Sequence, residues 1–143
     1  SRKKVVLQDM FSVSKISAQS AIDKLALELE KVDKIAVPAW FGVVKTGPQA
    51  ERLPESPKLW FKRVAAILRT LILRGNVGVR RLRNKFGGKR EHTVGRSHHV
   101  KSGGKAIRLA LQQLEQAGFL RKEKIGGRVA TAAGIALAEK ACK

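Results

Sequence analysis

Three stretches of helical periodicity, at residues 58–74, 77–85 and 102–117, precede two short extended segments around a Gly-Gly pair. Helix, helix, helix and then a hairpin predict a mainly α fold, a winged helix-turn-helix with a small two-stranded β-hairpin wing. Further apolar periodicity at 17–32 and 132–140 adds N- and C-terminal helices. A length of 143 residues, 43% of them hydrophobic, suffices for one core. The expected organisation is a basic N-terminal extension over 1–12 and a single domain over 13–143.

The elements follow in order. Ser17 to Ser20 opens the first helix, whose apolar face carries Ile22, Leu25, Leu29 and Val32. Its outer residues Asp23, Lys24, Glu28, Glu30 and Lys31 mix both signs, which suits scaffold. Val37-Pro38-Ala39-Trp40 ends that region, because proline lacks the amide donor and forces its predecessor into an extended conformation. Gly42, Gly47, Pro48, Pro54 and Pro57 punctuate an irregular connection pinned at its ends by Trp40-Phe41 and Trp60-Phe61. The tryptophans read as core anchors rather than stacking platforms, since their neighbours are apolar.

In the second helix Trp60, Val64, Ile67, Leu68 and Leu71 line one side, and Lys62, Arg63 and Arg69 are expected to project away from it. Gly75 stops it after Arg74, a cation suited to the negative end of the helix dipole. In the third, Val79, Leu82 and Phe86 face inward and Arg80, Arg81, Arg83 and Lys85 outward, until Gly87-Gly88 ends it. Residues 89–101, with Lys89, Arg90, Arg96, Ser97 and Lys101 among His92, His98 and His99, read as an exposed basic loop. Ser102-Gly103-Gly104 leads into the fourth helix, which buries Ile107, Ala110, Leu111 and Leu114 and stops at Gly118. Lys101, Lys105 and Arg108 crowd its start, where unpaired amides favour a phosphate. Phe119 to Ile125, Gly126-Gly127 and Arg128 to Ala130 form the hairpin, and Thr131 caps a last helix that buries Ile135 and Ala138.

Charge is concentrated in the middle of the chain. The net charge is +19, and residues 58–108 hold fifteen Lys or Arg against one acid, Glu91. Such a local excess repels itself unless a polyanion neutralises it, and nucleic acid is the abundant candidate. Other functions lack residues. The basic third offers no carboxylate pair for catalysis, and its histidines have no Cys or acid at ligand spacing to hold a metal. Gly87-Gly88-Lys89 and Gly103-Gly104-Lys105 resemble the end of a P-loop, but Arg83 and His99 stand where its first glycine belongs and no Ser or Thr follows the lysine. The single cysteine, Cys142, excludes a disulfide framework, which suits a reducing cytosolic or nuclear compartment. No apolar run approaches the ~20 residues of a membrane span, and no secretory leader is visible.

Several pieces in fixed order carry a family resemblance: Val37-Pro38-Ala39-Trp40, Trp60-Phe61-Lys62-Arg63-Val64-Ala65-Ala66, Leu73-Arg74-Gly75 with Gly78-Val79, and Phe86-Gly87-Gly88. Ser97-His98 with Ser102-Gly103, Leu111-Gln112-Gln113-Leu114-Glu115 and Gly126-Gly127-Arg128 continue it. From about residue 13 to 140 the chain resembles the small-subunit ribosomal protein nineteen-e family of eukaryotes and archaea. It departs at Arg96 and Ala132, where that family usually has proline. The resemblance implies a winged-helix protein of the small-subunit head that takes part in rRNA maturation, with no enzymatic activity and no cofactor. Implied partners are rRNA and neighbouring ribosomal proteins, with no membrane, no small-molecule substrate and no homo-oligomer. The implied location is the cytoplasmic ribosome, with nucleolar or nuclear transit during assembly in a eukaryote. Implied RNA contacts are Arg63, Arg80-Arg81 and the 89–101 loop with Ser97 and His98. Combined with the charge map, the expected RNA-binding set is Lys62, Arg63, Arg69, Arg80, Arg81, Arg83, Lys85, Lys89, Arg90, Arg96, Ser97, His98, Lys101, Lys105 and Arg108. The rival expectation is a DNA-binding regulator that places its fourth helix in a major groove.

Overall fold

The computed structural model describes residues 15–41, 58–90, 94–124 and 127–142. The expected N-terminal extension, most of the Gly/Pro connection, Glu91, His92 and Gly126 lie outside the described residues. Among the described residues nine elements follow in order: α1 (Ala18–Glu30), α2 (Lys58–Arg74), α3 (Val79–Phe86), β1 (Gly88–Arg90), β2 (His98–Val100), α4 (Gly104–Gln116), β3 (Leu120–Lys122), β4 (Arg128–Ala130) and α5 (Ala132–Cys142). The fold is mainly helical and winged-helix-like, as the sequence predicts.

The core is built around α2, which packs against α1, α4, α5 and β4. Its apolar positions recur every three to four residues, so Trp60, Val64, Ile67, Leu68 and Leu71 all fall on the buried side. Trp60 is fully buried, receives Trp40 and Phe41 edge-on with ring centroids 6.1 and 5.5 Å away, and donates from Nε1 to Gln113 Oε1 at 3.2 Å. Gln113 in turn donates to the Ala36 carbonyl at 2.9 Å, tying α4 to the chain after α1. The anchoring role expected of Trp60 is therefore met. Trp40 is half-buried.

Local sequence sets the helix ends. Ser17 caps α1 by accepting from the Ser20 amide, although α1 stops at Glu30, so Val32 packs on the core from beyond it. Thr131 caps α5 by accepting from the Gly134 amide and donates its hydroxyl proton to the Gly118 carbonyl at 2.7 Å. Expected to begin at Val77, α3 begins two residues later. Gly78 takes an extended N-cap conformation, and Val77 exchanges two 3.3 Å backbone hydrogen bonds with Arg128.

Two antiparallel ribbons flank α4. The wing pairs Leu120 with Ala130 and Lys122 with Arg128 in a shorter hairpin than expected, β3 covering only Leu120–Lys122. The second ribbon corrects the expected loop over 89–101. Gly88 pairs with Val100, Lys89 with His99 and Arg90 with His98. Gly87 allows this because a Cβ there would collide with the Val100 carbonyl oxygen.

Candidate nucleic-acid interface

Elementary helix geometry assembles the first part of the site. Residues 63, 70 and 74 lie seven and then four apart, so they share one face of α2. Against this face the end of α3 places Phe86 and Lys85. The Arg63 guanidinium sits 5.4 Å from the Phe86 ring centroid, and the Lys85 ammonium 6.0 Å. Lys85 also donates to the hydroxyl of buried Thr70 at 2.9 Å, and that hydroxyl donates to the Ala66 carbonyl at 2.8 Å. The charges of Arg69 and Arg74 also reach Lys85, so with Arg63 four cations gather at this junction.

Arg63 and Arg69 do not project away as expected; both are half-buried. Arg63 Nε and Nη2 and Arg69 Nε are shielded from solvent with no protein hydrogen-bond partner. Burial lowers the pKa of Arg63. Burial, then the charges of Arg74 and Arg69, lowers that of Lys85. Among the described residues none of these cations pairs with a carboxylate. Asp23, Glu28, Glu115 and Glu123 are paired with Lys62, Lys31, Arg128 and Arg121. Desolvated, unpaired guanidinium groups are costly to a fold unless an anion supplies the missing acceptors.

The second part lies where α3 meets α4. Arg83 donates from Nε to the Ser102 carbonyl at 2.9 Å, and the Ser102 amide donates back to the Arg83 carbonyl at 3.0 Å. Arg83 is half-buried and joins the two helices, so it is not the outward-facing residue expected. Arg108 reaches the open side of Gly104, where a Cβ would stand 2.7 Å from Nη1 and 3.4 Å from the Arg83 side chain. The α4 N-terminus has a glycine N-cap with no side-chain hydrogen bond and no acid in its first turn, leaving its positive dipole end uncompensated.

The remaining expected residues divide. Arg80 and Arg81 are exposed on the first turn of α3, and Lys89, Arg90, Arg96, Ser97 and His98 are exposed on and beside the β1–β2 ribbon, with Lys101 half-buried at its base. Two are drawn elsewhere: Lys62 lies 3.7 Å from Asp23 of α1, and Lys105 sits 5.2 Å from the Trp40 ring centroid. Arg74, Thr70 and Phe86 were not expected; the signal for the first two is their helical spacing from Arg63. Among the described residues no three His, Cys, Asp or Glu side chains gather where a metal could bind, and no helix is long and apolar enough to cross a membrane.

Fold and charge together define a small, basic winged-helix protein. The sequence profile of the family described as ribosomal protein S19e matches residues 12–143, and the chain belongs to that family. Among its relatives, small ribosomal subunit protein eS19B of Schizosaccharomyces pombe is 38% identical over 117 residues, 82% of each chain. The eS19 proteins of Haloarcula marismortui and Aeropyrum pernix are each 35% identical, covering 90% of this chain and 86% and 85% of their own.

Proposed function

We propose that this chain is a structural constituent of the small ribosomal subunit that binds rRNA in the subunit head and supports rRNA maturation and assembly. The observation that carries the reading is the cluster of Arg63, Arg69, Arg74 and Lys85, cations without acidic partners among the described residues, two of them with buried donors that lack acceptors. Phosphate oxygens supply such acceptors, and folded RNA brings many of them to one surface. Family membership and the names of the relatives support the ribosomal setting. Recognition runs through backbone charge and shape rather than base reading. Neighbouring ribosomal proteins are the further partners, and any nuclear passage belongs to assembly in a eukaryotic source.

The decisive experiment is sedimentation of tagged protein from cell extract through a high-salt sucrose gradient, with sequencing of crosslinked RNA. Co-migration with the small subunit and crosslinks confined to a few of its rRNA helices are expected. Sedimentation as a free or chromatin-bound protein, with scattered crosslinks, would refute the reading. Arg80→Glu with Arg81→Glu is the suitable loss-of-function pair because both side chains are exposed, whereas changing Arg83 also breaks its bond to Ser102.

A further inference from the structure

We infer that the β3–β4 wing, with the first turn of α3, is a second RNA contact of this protein, carried by Lys122 and Lys124; the inference rests on the rRNA-binding reading. Two observations fix the wing in place. Val77 and Arg128 exchange backbone hydrogen bonds of 3.3 Å in both directions, joining β4 to the turn between α2 and α3. Gly127, at φ +98°, lies so close to that turn that a Cβ would stand 2.6 Å from the Val77 carbonyl oxygen and 2.8 Å from Gly78 Cα. Gly78 is the N-cap of α3, so the turn end of the wing sits at the start of the helix that exposes Arg80 and Arg81.

Ion pairing selects the free cations. Glu123 accepts from Arg121 at 2.8 Å and Glu115 from Arg128 at 3.2 Å, which uses both acids of this region internally. Lys122 and Lys124 remain exposed, with no acidic partner among the described residues. The first turn of α3 adds Arg80 and Arg81, no acid and a glycine cap that makes no side-chain hydrogen bond. Two lysines on a ribbon fixed beside a basic, uncapped helix start can follow a phosphate backbone, while the Arg121–Glu123 pair holds the strand's other face neutral.

The test is the salt dependence of binding of the full chain to transcribed small-subunit rRNA. Removing one phosphate-neutralising cation from the interface lowers the slope of log K against log salt by about 1. The charge-matched control is Lys24→Gln with Lys34→Gln, on and just beyond α1. Lys122→Gln with Lys124→Gln should lower the slope by about 1–2 where the control lowers it little. Gly127→Ala, which keeps every charge but collides with Val77 and Gly78, should lower it too while far-ultraviolet circular dichroism still reports a helical fold. A wing pair no different from the control, with Arg80→Gln and Arg81→Gln still effective, overturns the inference and leaves the rRNA reading intact. If neither pair differs from the control, both fall.

Discussion

Arg63 illustrates how neighbours change what a residue does. On a helical wheel it borders the apolar side of α2, three residues after Trp60 and four before Ile67, and only its charge argues for exposure. Phe86, arriving from α3, covers one face of its guanidinium and helps remove Nε and Nη2 from water. Replacing a desolvated charge by an apolar side chain of similar length relieves this cost. Arg63→Met should therefore leave the fold unchanged or more stable by about 1 kcal/mol in urea denaturation, while weakening rRNA binding at least tenfold. A loss of stability without a loss of binding would assign Arg63 to the scaffold. Trp60 is the contrasting case, fully legible in sequence and fully buried, and Trp60→Ala should cost about 3–5 kcal/mol by the same measurement.

Between elements, the junction of α2 and α3 is where charge and stability conflict. Lys85 has a lowered pKa in the fold, so between that value and the ordinary lysine value of about 10.4 the unfolded chain binds more protons than the folded one. Stability contributed by this site therefore rises with pH across that window and is lowest where Lys85 is charged in both states. Lys85→Met should be more stable than the parent at neutral pH, with the gap in urea midpoint closing as the pH rises toward about 10.4. A gap independent of pH would refute the linkage. The β1–β2 ribbon makes a separate demand on Gly87, which lets the Val100 carbonyl approach. Gly87→Ala should displace the ribbon and reduce rRNA affinity although every charge is retained, as filter binding at fixed salt would report. The ribbon escaped the sequence reading because its strands are three residues long, polar and largely exposed, so no apolar alternation marks them.

For the molecule as a whole, +19 on 143 residues means that the free protein is strained by its own field. Raising ionic strength from about 50 mM to about 500 mM shortens the Debye length and should raise Tm by about 3 °C or more, read by differential scanning fluorimetry. Charge-reversing Arg80 and Arg81 should shrink that rise, and an unchanged salt response would show that their mutual repulsion is not felt in the fold. The rival reading as a DNA regulator asks for its recognition charge on α4. The charge is instead distributed over α2, α3, the β1–β2 ribbon and the start of α4, while Lys105 turns to Trp40.

By itself the sequence determined the five described helices, the hairpin wing, most of the core and the location of the basic third. Those properties are local: helical periodicity, glycine stops, side-chain caps and charge density are all written within a few turns of chain. What each cation does was set by the packing of the helices and ribbons. Arg63 and Arg69 became half-buried, Arg83 was joined to Ser102, Lys62 and Lys105 were drawn to Asp23 and Trp40, and Lys122 and Lys124 were left exposed with no acidic partner among the described residues. The physical reason is that a cation's desolvation and partners are set by groups distant in sequence. Trp40 lies 65 positions before Lys105, and Phe86 lies 23 beyond Arg63. No periodicity in the chain encodes such pairs before the helices have packed.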